Sequence, residues 1–277
     1  MLFYRVSKIS KRKNQIRFDK SLNSVLIVAD PQIQGFRDEP PGILGVITRW
    51  DSDQYLSRGF SWATRAVKQN LTIFLGDLID EGYSASDSDF ELYVKRFKNI
   101  FPVPESNALY LPGDNDIGGE GSERVTDRHV MRFRNSFPVD SAFFAGRRFQ
   151  AAHELEKARS DVPRESDIWL RHFPMIADST ASKLVFSAHN HVGEVREEGM
   201  SKTSLRHVSG KFDSKYIEII MPTCSYRMGV YQMAYGALIL GNNDDFHFVP
   251  LHIPGRFQFL FLYIIICLCW LFFFCIR

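Results

Sequence analysis

The sequence predicts an α/β fold in which two sheets pack face to face with helices outside. From residue 24, strand-like apolar runs alternate with helix-compatible stretches. Three such units in series argue for mostly parallel pairing. The second half strings strand candidates together with few helices between them, which predicts a second, more antiparallel sheet. No long Pro/Gly/Ser linker and no internal repeat interrupts the chain, so one compact domain is expected.

Each element has a local reason. "SVLIVAD" (24–30) is a continuous apolar run ending in an acid, the pattern of a strand buried on both faces. "QYLSRGFSWATRAVKQN" (54–70) has helical spacing, and "LTIFLGD" (71–77) repeats the strand-then-acid pattern. "FELYVKRFKNIF" (90–101) again reads as a helix, followed by the strand "NALYLPGD" (107–114). "SAFFAGRRFQAA" (141–152) reads as a hairpin about Gly146. The remaining strand candidates are 167–174, 183–191, 204–210, 216–222, 235–240 and 246–253.

Composition bounds the rest. A net charge of +2 over 277 residues shows no bias towards nucleic acid. The basic run "KISKRKNQIR" (8–17) reads as a solvated tail or as a segment drawn to an anionic membrane surface. Of the four cysteines, only Cys224 lies outside the C-terminal segment, so no disulfide framework and no CxxC metal site is available. "FQFLFLYIIICLCWLFFFCI" (257–276) is uncharged and bracketed by Arg256 and Arg277. At 1.5 Å per residue such a helix spans the roughly 30 Å hydrocarbon core, which predicts a single-pass membrane anchor. The start, "MLFYRVSKIS", is too short an apolar run to be a signal peptide or a span. Taken alone it implies a tail anchor with the domain in the cytosol, whereas the sequon Asn70-Leu71-Thr72 points to a lumenal domain. The expected organisation is a basic segment (1–23), a globular domain (24–255) and an anchor (257–276).

Chemistry-bearing side chains fall just past predicted strands. These are Asp30 and Gln32 in "ADPQ", Asp77 in "GDLID", Asp114 and Asn115 in "GDND", His172 in "RHFP", and His189 and His191 in "AHNH". Ligands of α/β sheets bind outside the carboxyl ends of the strands, so these loops can share one mouth. Carboxylate, amide and imidazole together suit Mn, Fe or Zn, and one carboxylate can bridge two ions. Singly, each piece has an ordinary alternative: a helix cap, a turn, or a satisfied loop histidine.

In order, the pieces DxQ, GDxxD, GDND, RH and HxH resemble the calcineurin-like metallophosphoesterase superfamily, whose usual pattern is DxH, GDxxD, GNH[DE], H and GHxH. With "VADPQI", "LPGDNDIGG" and a terminal span, the chain is similar to the membrane-anchored branch that includes the GPI-remodelling ethanolamine-phosphate phosphodiesterases. The resemblance implies a four-layer α/β/β/α sandwich of two mixed sheets, with two divalent ions, Mn first and Fe or Zn as alternatives. Asp30, Gln32, Asp77 and His191 would hold one ion; Asp77 would bridge to a second held by Asp114, His172 and His189. A metal-bridging hydroxide would attack the phosphorus of a phosphate-bearing, lipid-linked glycan, at a membrane of the endoplasmic reticulum or Golgi.

The departures from that pattern lie inside the site. Gln32 replaces a histidine with a neutral amide, and Asp114 replaces an asparagine with a charge. Asn115 stands at the histidine that usually assists the leaving group, so its catalytic role would be hydrogen bonding without proton donation. Asp80 and Asp116 are expected to orient the ligand loops. Arg124 and Arg128 are candidates to face a phosphate; His129 and His153 have no assigned role.

Overall fold

Continuous apolar runs need cover on both faces, and the strands that carry them lie at the centre of each sheet. The computed structural model describes residues 23–137, 141–151, 167–175, 184–198, 202–212 and 216–276. Strands β1 (Asn23–Val28), β2 (Leu71–Leu75) and β3 (Ala108–Leu111) pair in parallel, Val25 opposite Leu71 and Thr72 opposite Ala108. Helix α1 (Ile43–Val67) crosses from β1 to β2, and α2 (Asp87–Ile100) from β2 to β3. Both cover one face of this sheet: Phe60 of α1 and Phe97 of α2 each pack against Phe74 and Phe101, mostly edge-on or tilted, at centroid distances of 4.8 to 6.5 Å.

Local signals set the helix ends. Ser86 caps α2 by accepting from the Asp89 amide, and Asp87 and Asp89 complement the dipole of its first turn. Lys68 ends α1 in the left-handed region. However, α1 begins at Ile43, eleven residues before the amphipathic signal, because its opening turns expose apolar side chains and so carry no helical period.

The second half corrects the sequence expectation. Strands β5 (Arg147–Ala151), β6 (Ile168–Leu170), β7 (Leu184–Ser187) and β11 (Ile217–Ile220) form a parallel ladder at the centre of the second sheet. Antiparallel strands flank it: β4 (Ala142–Phe144), turning back at Ala145 and Gly146, on one side, and β8 (Glu194–Glu197) and β9 (Thr203–Ser204) on the other. The late antiparallel strands belong to the first sheet instead, in the order β10-β13-β12-β1-β2-β3. They are β10 (Val208–Lys211), β12 (Met233–Leu240) and β13 (Asp245–Ile253). All eight residues of β12 are buried, and a strand apolar on both faces finds that burial only inside a sheet covered on both sides, here between β1 and β13.

Each sheet is thus mixed, and they pack through an apolar layer in which Phe186 of β7 meets Phe248 of β13 at 5.7 Å. After the single turn of α3 (Asp114–Ile117), helix α4 (Asp127–Ser136) packs beside α2 through Phe133 and its C-cap residue Phe137. The connections at 152–166 and 176–183 lie outside the described residues, as do the basic run at 8–17 and His153. The C-terminal run is a helix, α5 (Arg256–Ile276), with a mean hydropathy of 2.5 over Arg256–Phe274 and none of that window buried. It is long and apolar enough to cross a membrane.

Candidate metal centre

The first sheet delivers its acids at the carboxyl ends of parallel strands: Asp30 past β1, Asp77 past β2 and Asp114 past β3. The second sheet delivers His172 past β6 and His189 and His191 past β7. Two groups of candidate ligand atoms result, Asp30–Asp77–His191 and Asp77–Asp114–His172–His189, each with its atoms within 4.8 Å of one another. Asp77 is common to both. Asp30, Asp77, Asp114 and His172 are buried, while His189, His191 and Asn115 are partly exposed and form the open side.

Backbone strain accompanies the convergence. Asp30, Gln32, Asp77, His189 and His191 all have positive φ, from 40° to 66°. Left-handed backbone at non-glycine residues gathers where surrounding structure over-determines it, characteristically at functional sites. Two glycines make the close approaches possible. A Cβ on Gly76, whose φ is 96°, would meet His172 Nδ1 at 2.4 Å; one on Gly113 would lie 2.0 Å from Asp77 Oδ1.

Hydrogen bonds aim the side chains. His172 Nδ1 donates to the Leu75 carbonyl at 2.8 Å, which turns Nε2 towards Asp114 Oδ1 at 2.9 Å and Asp77 Oδ1 at 3.5 Å. His189 Nδ1 lies 3.1 Å from the same Asp114 oxygen. Asp77 is held by amides: its Oδ1 accepts from the Asn115 backbone at 3.0 Å, and its Oδ2 from the Gln32 and Asn115 side chains at 2.9 and 3.2 Å. Asp116 accepts from the amides of Gly113, Leu78 and Ile79, tying the β2 loop to the β3 loop. The expected orienting role of Asp80 takes a different direction: it pairs with Arg227 at 3.1 Å, and Arg227 also binds Glu39 at 2.7 Å.

The electrostatics describe a pocket short of positive charge. Burial raises the Asp30 and Asp77 carboxyls, and their neighbouring carboxylates add to the rise. Burial and the Asp77 charge push Asp116 up to about 8 against its three amide donors. Burial works against a His172 cation, yet Asp77, Asp114 and Asp30 push it up to about 10. Burial opposes ionisation of Asp114 too, but His172 and His189 hold it well below the usual range. His191 is lowered by burial and then by the two other histidines, which favours the neutral imidazole that ligation needs. Asp30 Oδ2 is buried without a hydrogen-bond partner. An orphaned carboxylate oxygen beside clustered acids and imidazoles is what a divalent cation would satisfy, and the donor set suits two of them.

Gln32 is the one candidate ligand that presents the wrong atom, since its Nε2 faces both Asp77 and His191 Nε2 (3.1 Å). Ligation by Gln32 requires a half-turn of the amide to bring Oε1 inward. Arg128 lies away from the centre in an exposed pair with Asp87, Arg124 is exposed, and His129 packs on Tyr83. Two supports escaped the sequence reading. Glu81, buried directly after "GDLID", accepts from the amides of Phe36, Arg37 and Asp38 and from the Tyr93 hydroxyl. Thr223 donates to the Asp30 carbonyl at 2.6 Å. An acid placed straight after the motif was a readable signal for Glu81; nothing in the spacing marked Thr223.

Two sequence relatives are named as metallophosphoesterases. A metallophosphoesterase 1 homolog from Caenorhabditis elegans is 31% identical over 40% of this chain and 35% of its own length. Another, from Drosophila melanogaster, is 31% identical over 39% of this chain and 27% of its length. Their names agree with the metallophosphoesterase resemblance of the motifs. The chain matches 35% of the length of the first relative and 27% of the second. No protein-family model matches the chain. Among solved structures, a metallophosphoesterase from Sphaerobacter thermophilus is similar with a TM-score of 0.45 and 12% identity, over 85% of this chain and 89% of that one. A dimetal phosphatase from Danio rerio gives 0.47 and 10%, over 84% and 99%.

Proposed function

We propose that this chain hydrolyses phosphoesters with two divalent cations, and the observation that carries the reading is the pair of ligand groups sharing Asp77. Asp30, Asp77, His191 and a turned Gln32 would hold one cation; Asp77, Asp114, His172 and His189 the other. Two such cations supply an activated water and neutralise phosphate charge. The chain's own residues set the geometry. Asn115 fixes the Asp77 carboxylate through its backbone and side-chain amides, and Asp116 fixes the loop that carries it. The open side at His189, His191 and Asn115 admits the ester. Because an amide gives up no proton at neutral pH, the leaving alkoxide takes its proton from water.

The finer reading is a phosphodiesterase that removes ethanolamine phosphate from a GPI-anchor mannose, with Mn as the ion. Helix α5 would anchor the chain in the endoplasmic reticulum or Golgi and confine it to the surface that carries its substrate. Support comes from the motif order, the membrane-length helix and the metallophosphoesterase relatives. A metal-binding scaffold is favoured by one observation, the engagement of the Asn115 side chain with Asp77.

Metal analysis of the purified chain, with assays on bis-p-nitrophenyl phosphate and on p-nitrophenyl phosphate across Mn, Zn and Mg, tests these readings. Two bound metals and hydrolysis abolished by Asp77→Asn are expected. Bound metal without hydrolysis of either ester supports the scaffold, and a chain with neither refutes the proposal. Faster turnover of the monoester removes the diesterase assignment, and a GPI glycan left intact by an active enzyme removes the finer substrate.

A further inference from the structure

We infer that the opening turns of α1 form a second membrane contact, which seats the metal-bearing edge of the protein on the bilayer that α5 enters. The inference rests on the reading of α5 as a membrane span.

Strand register places the start of α5 at the same edge as the metal centre. Ile27 of β1 lies opposite Gly236 of β12, and Gly236 opposite Pro250 of β13. Both pairings are antiparallel, so β13 runs in the direction of β1. Three residues beyond Ile27 is Asp30, and three beyond Pro250 is Ile253, where β13 ends. The chain thus leaves the sheet level with a candidate metal ligand and enters α5 at Arg256.

The base of α5 is fastened to α1. The Arg256 guanidinium pairs bidentately with Asp51, its Nε donating to Oδ2 at 3.0 Å, and the Tyr226 hydroxyl donates to the same oxygen at 2.9 Å. Tyr226 also meets the Phe257 ring edge-on at 5.6 Å, while the Tyr55 hydroxyl donates to the Pro254 carbonyl at 2.9 Å. These contacts hold the emerging helix against the flank of α1.

Beside that flank runs an uncovered apolar stripe. Ile43, Leu44, Val46, Ile47 and Trp50 are between 52% and 78% exposed. Singly exposed apolar residues need no explanation, but five within the first eight residues of a helix form a patch. At 100° per residue, Ile43, Ile47 and Trp50 share one line, with Asp51 about 80° around the helix from Ile43. The two acids that follow the stripe are both paired, Asp51 with Arg256 and Asp53 with Arg96 at 2.8 Å, so neither presents a free charge to a lipid surface. Arg49 stacks over Phe36 at 5.2 Å, a long side chain able to reach headgroups from an apolar bed. Tryptophan and branched aliphatics with a flanking arginine match the boundary between headgroups and acyl chains, where such helices embed about 5–10 Å deep. The occupant of the stripe is therefore the bilayer itself. A phosphate held on a lipid would then meet the site without leaving its membrane.

The test uses the full chain in phosphatidylcholine vesicles, with Cys267, Cys269 and Cys275 replaced by alanine. Ile47→Cys and, near the far end of α1, Arg65→Cys each carry an environment-sensitive fluorophore. Carbonate washing reads the span, and quenching by acyl-chain nitroxide or by aqueous iodide reads the stripe. Retention after washing, with position 47 quenched several-fold more by the nitroxide than position 65, is the expected result. Retention with equal iodide quenching at both positions overturns the inference and leaves the span intact. A position 47 shielded from both quenchers means a protein occupant and also overturns it. Extraction by carbonate removes the span and the inference together.

Discussion

Asp116→Ala strips three buried backbone N–H groups, those of Leu78, Ile79 and Gly113, of their acceptor. Each buried donor left without a partner costs about 1–3 kcal/mol, and entry of water into the space vacated by the carboxylate limits the sum to about 3–5 kcal/mol. That is a large part of the roughly 5–15 kcal/mol that holds a domain together. Asp116→Asn keeps one carbonyl oxygen but turns an amide nitrogen towards a donor, so about 1–3 kcal/mol is expected. Urea unfolding of the metal-free chain in detergent, followed by tryptophan fluorescence, measures both. Because these bonds also join the loops that carry Asp77 and Asp114, metal stoichiometry should fall in the same order, alanine below asparagine below wild type. An alanine variant within about 1 kcal/mol of wild type refutes the assignment of Asp116 as the tie between the loops.

Other outcomes follow from the same geometry. Gly113→Ala drives a methyl group against the Asp77 carboxylate and amide, so it should cost about 1–3 kcal/mol or more and lower the bound metal measured by mass spectrometry. A metal must displace a proton from His172, which Asp77, Asp114 and Asp30 push up to about 10 against burial, to take Nε2. Affinity for the second cation should therefore rise about tenfold per pH unit between roughly pH 6 and 9, as read by competition with a chelating dye; a flat profile contradicts the ligand role. Asn115→His supplies a proton donor on the open side. Turnover of diesters with alkoxide leaving groups should rise, within the roughly 10²–10⁴-fold range of general acids, and much less for p-nitrophenyl esters; equal effects on both exclude leaving-group protonation as the limiting step.

Much of the centre was legible because strand-then-acid is a local pattern with a geometric meaning. Asp30, Asp77 and Asp114 each end an apolar run, and a parallel sheet brings such ends to one edge. His172, His189 and His191 were readable for the same reason. The partition of strands between sheets was not legible, since β10, β12 and β13 join the first sheet through pairings that span the chain, and an apolar run does not name its neighbour. Strand β8, "EVRE", has one buried residue and gave no apolar signal. The amide clamp on Asp77 was hidden as well. Gln32 and Asn115 read as losses of histidine, and only side-chain positions show both turned onto one carboxylate.

The left-handed backbone at Asp30, Gln32, Asp77, His189 and His191 has a consequence for anyone selecting sturdier variants. At such angles glycine relieves about 1 kcal/mol or more that these residues store. A screen that scores only folding of the metal-free chain will accordingly enrich glycine at the partly exposed positions among them, His189 and His191, each gain deleting a candidate metal ligand. Thermal robustness and metal loading are therefore opposed at these codons, and a selection that keeps the centre has to impose cation binding at every round.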